Sequence, residues 1–521
     1  MTKKRVGEAL ISLLEQRGVE VVFGIPGVHT VELYRGLAGS AIRHITPRHE
    51  QGAAFMADGY ARVTGKPGVC FLITGPGFTN AITAIAQARA DSVPMLVISG
   101  VNKRESLGRG LGHLHELPDQ AALSRTVCLE TFTLLEPERL GEVVESAFAA
   151  MTSGRPGPVH IEIPTDVMAM GTGAVLPARD AERVDLDLAS VERAASMCRS
   201  TKNPLILAGG GVKEAAGLRA LAEKLDAPVV TTSNGRGLMA GHPLNLPASP
   251  SLQAVRDMIA EADLLLALGT ELGETDYDFF GIGPLPAHGN MIRVDIDGAQ
   301  LARRDDRGLT VEADAAAFAS ALAARLPLRQ GDGAERAERA KKAALAELPA
   351  AYRAHLALLD AIFRQMPEAI IVGDSTQAVY AGTLYLDAPA PGAWFHSATG
   401  YGTLGYAAPA AIGAAIGAPH RPVICLTGDG GLQFSLAELG SAADAGAGVL
   451  FLVWNNQGYR EIENAMLEAD VVPEGVRPSA PDFVKIAEAY GLPAMRVTEA
   501  DRLADAVALA ERPSLIEFFS P

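Results

Sequence analysis

Cysteine is scarce in this chain of 521 residues: Cys70, Cys128, Cys198 and Cys425 stand far apart and none forms a CxxC pair. That excludes a disulfide framework or thiolate metal site legible from spacing, and leaves buried free thiols in a reducing compartment as the expectation. Long apolar runs are also missing, since none approaches the roughly 18 residues a membrane span needs. The opening MTKKRVGEALISLLEQRG places Glu8 and Glu15 at helical spacing and lacks a small-residue cleavage site, so it reads as an amphipathic first helix and not a signal peptide. A cytoplasmic location is the expectation. Basic clusters with interleaved aromatics are absent too, and a net charge of −16 opposes attraction to nucleic acid or anionic lipid.

What is present is apolar sequence in a regular alternation. Apolar residues make up 48% and charged residues 20%, the profile of a folded protein, and the length suggests about three domains. Short β-branched runs (VEVVFGI, IRHIT, GVCFLIT, PMLVISG) alternate with helical patterns up to HIEIPTDV. After a polar stretch at Arg179 to Asp187 the alternation restarts with PLILAGGGV, PVVTTS, DLLLALGT and MIRVDID. The charged, Ala-rich stretch from Arg329 to Glu347 reads as a solvated helix and second connection, before AIIVGDS, PVICLTGDG, VLFLVWNN and SLIEFF. Such alternation implies parallel sheets covered on both faces. The expected fold class is therefore α/β, with three doubly wound parallel-sheet domains over residues 1–172, 188–328 and 350–521.

Gly428-Asp429-Gly430-Gly431 ends one apolar strand, and Asn456, 27 residues after Asp429, ends another in WNNQGY. Both therefore fall at the carboxyl edge of one sheet, where open α/β folds bind ligands. Gly430 and Gly431 let backbone approach a phosphate at a helix N-terminus. Asp429 and the Asn456 amide are hard oxygen ligands, and a diphosphate would complete the octahedron Mg²⁺ demands. Gly458 is counted with them as a metal-binding position. A tight turn with an unrelated Asn pair is the alternative reading.

GDG, a spacer of this length and NN resembles the diphosphate motif of thiamine diphosphate enzymes. FGIPG at Phe23 to Gly27, PRHEQGAAFMADGYAR at Pro47 to Arg62 and TGPGFTNAITAIAQARADSVPMLVISG at Thr74 to Gly100 are similar to the pyrimidine-binding domain of the acetolactate synthase and benzoylformate decarboxylase superfamily. The resemblance implies pyrimidine-binding, middle and diphosphate-binding domains in that order, with thiamine diphosphate and Mg²⁺ as cofactors. It makes Glu50 the glutamate on N1′ of the aminopyrimidine, where protonation favours the imino tautomer whose 4′ nitrogen can deprotonate C2 to the ylid. HSATGYGTLGYAAPAAIG is similar to the segment that bends the cofactor, with Leu404 as the apolar wedge and the Gly402 carbonyl as acceptor for the 4′ amine. GDSTQ matches a second diphosphate-contacting loop, which implicates Thr376 and Gln377, and His396 lies beside the bending segment. Gly27, Gly428, Gly458 and Tyr459 complete the expected cofactor contacts. The family places its cofactor between subunits, so a homodimer or homotetramer is expected.

The resemblance implies ylid attack on a 2-oxo acid, loss of carbon dioxide and an enamine whose fate the motifs leave open. GRGLGHLHELPDQ at Gly108 to Gln120 departs from the Phe-Gln-Glu loop of acetolactate synthases. Together, LHELPDQ, GTELGETD, GDSTQ and FHSATGYGTLGY look like the 5-guanidino-2-oxopentanoate decarboxylases, a lyase reading in which the product is 4-guanidinobutanal. Glu461 would then face the guanidinium, or is a solvated helix carboxylate. His29 and His115 are candidates to position or protonate an intermediate, or are structural loop histidines. Ile73 stands where benzoylformate-type enzymes carry histidine. The alternatives are an acetolactate synthase-like carboligase and a noncatalytic cofactor-binding scaffold. Gly209 to Gly211 is too general a signal to imply FAD.

Overall fold

The computed structural model describes residues 4–173, 186–279, 281–286, 288–303 and 308–519, so the linker expected at Arg179 to Asp187 lies outside them up to residue 185. The strands form three six-stranded parallel sheets, as the alternation implied. Among the described residues the chain divides into two compact units, one drawn from Met1–Glu182, Tyr401–Thr498 and Ala510–Pro521, the other from Arg183–Gly400 and Glu499–Leu509. No described helix is long and apolar enough to cross a membrane. All four cysteines are buried, and no disulfide joins them.

In the first unit, β1 (Val21–Gly24), β2 (Arg43–Ile45), β3 (Gly68–Leu72), β4 (Met95–Val101), β5 (Glu130–Thr133) and β6 (Pro158–Pro164) run in the order β2-β1-β3-β4-β6-β5. β3, β4 and β6 are buried along their whole length; β3 and β4 accordingly read as nearly continuous apolar runs, while β6 buries His160 and Glu162 among its apolar residues. The amphipathic first helix, Val6–Gln16, buries Leu10, Ile11, Leu13 and Leu14 against this sheet's core. The helix Glu50–Thr64 packs backbone to backbone on the helix Ala407–Gly417. A Cβ at Gly59 would lie 1.9 Å from the Ala410 carbonyl oxygen, and one at Gly413 1.9 Å from that of Met56. Only glycine permits that approach.

In the second unit, β7 (Pro204–Ala208), β8 (Val229–Thr231), β9 (Asn245–Leu246), β10 (Leu264–Leu268), β11 (Met291–Asp295) and β12 (Gly308–Glu312) follow the order β12-β11-β10-β7-β8-β9. A Cβ at Gly209 would sit 2.3 Å from the Gly269 carbonyl oxygen, and one at Gly211 2.8 Å from its Cα. Close packing of two strand-end turns accounts for these glycines without a ligand. The Ala-rich stretch forms the helix Gly333–Glu347, which buries Ala337, Ala340 and Ala344. β13 (Ile370–Gly373) pairs in parallel with β14 (Trp394–His396) in this unit. Back in the first unit, β15 (Val423–Gly428) pairs with β16 (Val449–Asn455), β16 with β18 (Ser514–Phe519), and β18 with β17 (Ala494–Val497).

Candidate active site

The first unit carries two poles built at strand ends. At one, β1 leads into Gly27, whose N–H donates to Thr30 Oγ1 at 3.0 Å in a tight turn that presents His29. A Cβ on Gly27 would strike Ile73 Cδ1 at 2.3 Å, so Ile73 forms an apolar wall under this turn. The His29 and His115 rings meet edge to face, with centroids 5.3 Å apart. Burial, and next the charge of His115, hold the His29 imidazole below its ordinary pKa, which favours the neutral ring. His115 adopts φ +62°, unusual for a residue with a Cβ. Its carbonyl oxygen would lie 2.4 Å from a Cβ on Gly75, so the His115 loop rests directly on the turn after β3. The sequence thus placed these two histidines in separate loops, and the fold makes them one pair.

Glu50 opens its helix immediately after the N-cap His49, whose Nδ1 accepts from the Gln51 N–H at 3.2 Å. Asn80 Nδ2 donates to Glu50 Oε2 at 2.9 Å. From the turn before this helix, the Arg48 and His49 N–H groups donate to the buried Glu438 carboxylate at 3.1 Å each. Glu438 thereby holds the entry of the helix that Glu50 begins; burial raises its pKa while Ser441 and these N–H groups oppose the rise. Neither Asn80 nor Glu438 was singled out from sequence. Asn80 stands within the TGPGFTNAIT segment, yet a helical asparagine carries no signal until the fold brings a carboxylate within reach.

Gly402 has φ +70° and open space where a Cβ would be, while Leu404 is half-buried. Between them Thr403 is buried and bonded on both sides of its Cα, its Oγ1 donating to Gln87 Oε1 at 3.0 Å and its N–H to the same oxygen at 3.3 Å.

At the second pole Asp429 follows β15 and Asn456 follows β16, with Asp429 only 1% exposed. The terminal amide of Asn456 lies 3.3 Å from Asp429 Oδ1 and 2.9 Å from the Gly458 carbonyl oxygen. With its nitrogen inward the amide donates to both. Turned about, it presents a third oxygen, and oxygens spaced by about 3 Å are what adjacent corners of an Mg²⁺ octahedron require at about 2.1 Å from the ion. Asp429 Oδ2 is buried with no hydrogen-bond partner. Burial raises the Asp429 pKa, against the N–H groups of Asn456, Gly458 and Gly430 that favour its charged form. A buried carboxylate with one orphaned oxygen is stable as an anion only beside a cation, so the donor set fits a divalent ion. The Tyr459 ring fills the space against Gly430, where a Cβ would come 2.5 Å from it. Gly458 has φ +146°, and Tyr459 N–H donates to the Val476 carbonyl at 2.8 Å, fixing this turn. Glu461 lies half-buried in the first turn of the helix Arg460–Glu468.

In the second unit Thr376 is buried at the N-cap position of the helix Gln377–Leu384. Both ring nitrogens of His396 are engaged: Nε2 lies 2.5 Å from Ser233 Oγ, and Nδ1 accepts from the Ala398 N–H at 3.1 Å.

Three family descriptions match in the order that the motifs suggested: the thiamine pyrophosphate enzyme N-terminal domain over residues 4–123, the central domain over 191–322 and the C-terminal domain over 374–518. The probable 2-ketoarginine decarboxylase of Pseudomonas aeruginosa is 46% identical over 508 residues, covering 95% of this chain and 90% of that protein. This chain belongs to the thiamine pyrophosphate enzyme family. Within the family it is also 32% identical to the acetolactate synthase isozyme 1 large subunit of Escherichia coli, over 98% of this chain and 93% of that one. The probable acetolactate synthase large subunit of Methanocaldococcus jannaschii is 30% identical over 98% of this chain and 91% of its own length. Membership makes thiamine diphosphate the cofactor.

Proposed function

We propose that this thiamine pyrophosphate enzyme is a magnesium-dependent lyase that converts 5-guanidino-2-oxopentanoate to 4-guanidinobutanal and carbon dioxide without net oxidation. The observation that carries the reading is the 46% identity over 95% of the chain to the probable 2-ketoarginine decarboxylase, against 32% for the synthase of Escherichia coli. Bound thiamine diphosphate supplies a nucleophilic carbon for the keto group and an electron sink for the pair left as the carboxylate departs.

The side chains then take defined tasks. Glu50 holds a proton at N1′ of the aminopyrimidine, and Asn80 keeps its Oε2 in place. The Gly402 carbonyl would accept from the 4′ amine of the bound cofactor, Leu404 would hold it from the apolar side, and Gly27 would border its pyrimidine. Asp429, the Asn456 amide oxygen and the Gly458 carbonyl bind Mg²⁺, an assignment supported by their mutual spacing and by the orphaned Asp429 Oδ2. Gly428, Gly430 and Gly431 leave room for the diphosphate with Tyr459 behind them; Thr376 and Gln377 of the GDSTQ loop, and His396 beside the bending segment, are further proposed cofactor contacts. His29 and His115 handle a proton at the substrate, a task suited to a neutral ring at His29. Glu461 pairs with the guanidinium.

On this reading residues 1–172, 188–328 and 350–521 are the pyrimidine-binding, middle and diphosphate-binding domains. Two copies share each site, the enzyme is a homodimer or homotetramer, and it works in the cytoplasm. A carboligase that joins two 2-oxo acids is the second reading, favoured by the likeness to acetolactate synthases along 98% of the chain. The test is a product assay with thiamine diphosphate and Mg²⁺. Aldehyde and carbon dioxide from the guanidino acid, with no acetolactate from pyruvate, support the decarboxylase; acetolactate from pyruvate overturns it.

A further inference from the structure

Thr403 sits between the two residues assigned to the cofactor's bend, and its polar atoms run into the interior. Gln87, fully buried, takes both the Thr403 hydroxyl and its N–H on Oε1, at 3.0 and 3.3 Å. Its Nε2 donates to Asp91 Oδ2 at 2.7 Å. Asp91 Oδ2 also pairs with Arg62 at 2.6 Å, and Arg62 pairs with Asp58 Oδ1 at 2.7 Å. Asp58, fully buried, accepts from the Tyr406 hydroxyl on Oδ1 at 2.5 Å. The chain of bonds leaves the segment at Thr403, crosses the helices Pro76–Ala90 and Glu50–Thr64, and returns to the same segment at Tyr406.

Buried ions of this kind cost desolvation free energy that apolar packing would avoid, so stability is a poor reason for keeping them. What a closed and hydrogen-bonded circuit does provide is a unique geometry. Pinning residues 403 and 406 leaves the backbone at Gly402 and the side chain of Leu404 little freedom to shift. A shift matters here, because a displacement of about 1 Å in a reacting group costs on the order of 100-fold in rate.

We propose that Gln87 is a positioning residue for the cofactor, acting through Thr403 to fix the Gly402 carbonyl and the Leu404 side chain, with Asp91, Arg62, Asp58 and Tyr406 closing the circuit. The inference rests on the reading of Gly402 and Leu404 as the cofactor-bending pair. Gln87 touches neither substrate nor cofactor, so its loss acts on activation of the cofactor and not on its affinity.

The test compares Gln87→Met, which keeps the volume and removes the acceptor, with Leu404→Ala in the full-length enzyme loaded with thiamine diphosphate and Mg²⁺. Four quantities are read: hydrogen–deuterium exchange at cofactor C2 by acid quench and proton magnetic resonance, the cofactor Kd, kcat and KM. Gln87→Met is expected to slow C2 exchange and kcat together by about 10- to 100-fold, with cofactor Kd and KM within about threefold of the parent. Unchanged C2 exchange, or a loss of kcat that excess cofactor restores, overturns the proposal. If Leu404→Ala also leaves C2 exchange unchanged, the reading of the bending segment has failed; if it alone slows exchange, only the role of Gln87 has failed. Should Gln87→Met not fold, Thr403→Val removes just the hydroxyl donor, with an expected slowing of about 3- to 10-fold and the same outcomes overturning the proposal.

Discussion

The two poles of the first unit hold their key carboxylates in opposite ways. Asp429 is 1% exposed, receives N–H groups along one side and leaves Oδ2 orphaned. Glu50 is half-buried at the start of a helix, with Asn80 on one oxygen. A group that waits for a cation can be desolvated in advance, because the ion restores what burial removed. A group that must pass a proton needs a partner that orients it without neutralising it, which is what an amide does. On the proposed roles, the metal ligand of these two poles is the desolvated carboxylate and the proton carrier the one with an uncharged orienting partner. Burial alone is no marker, since Glu438 and Asp58 are equally buried and hold N–H groups and Arg62 instead.

The largest break in this contrast is at Asp429. Asp429→Asn keeps the shape but removes the charge that a divalent ion meets, and kcat/KM is expected to fall by about 1000-fold with loss of Mg²⁺-dependent cofactor retention in calorimetry. Glu50→Gln should do the reverse. The amide keeps a hydrogen bond to the pyrimidine and cannot move its proton, so kcat drops about 100- to 10,000-fold while cofactor Kd stays within about threefold. Equal losses of cofactor binding in both variants would erase the distinction between the poles.

Beneath the first pole the same rule takes a third form, a buried histidine kept neutral. His160 is fully buried, accepts or donates at 2.7 Å with Ser99 Oγ, stacks on Phe78 and is pushed down to about 3 by burial. The unfolded chain binds a proton here near pH 6.5 and the folded one does not, so stability falls as pH drops below 6.5 and goes on falling toward the folded value. Between pH 7 and 5 this histidine alone contributes a loss of about 2 kcal/mol. Amide exchange in β6, corrected for its intrinsic pH dependence, should accelerate about 30-fold over that interval, and much less in His160→Gln. An equal acceleration in both would mean that His160 is protonated in the native state.

Much of this was legible beforehand because strand ends carry it. The alternation predicted parallel sheets, and Asp429 and Asn456 fall at the carboxyl edge of one sheet as their strand-end positions implied; they meet because β15 and β16 pair directly. Contacts between elements distant in sequence were not legible. The pairing of His29 with His115, the Glu438 clamp at Arg48 and His49, and the bond from Gln87 to Thr403 each join residues 86 to 390 positions apart. No local pattern encodes them, because each partner is an ordinary loop or helix residue until the fold is complete. Gly209 to Gly211, too general a pattern to imply a nucleotide, pack closely on Gly269 and Asn234.

Substrate choice gives a smaller effect. Glu461→Gln should raise KM for 5-guanidino-2-oxopentanoate about 10-fold and leave 2-oxobutanoate within about twofold, the difference expected for one charge-assisted pair. Equal changes for both acids would remove Glu461 from recognition and leave it a helix carboxylate.

The smallest expected effect tests the idea that an uncharged partner marks the proton carrier. Asn80→Ala removes one hydrogen bond from a carboxylate that keeps its place at the helix start, so kcat should fall only about 3- to 10-fold, with KM and cofactor Kd unchanged. Asn80→Asp is the sharper variant, because it sets a second carboxylate 2.9 Å from Glu50 Oε2 in place of a donor. Like charges at that distance repel, so kcat should fall further in Asn80→Asp than in Asn80→Ala. Equal rates in the two variants would show that Asn80 does not orient Glu50, and the contrast between the poles would then rest on Asp429 alone.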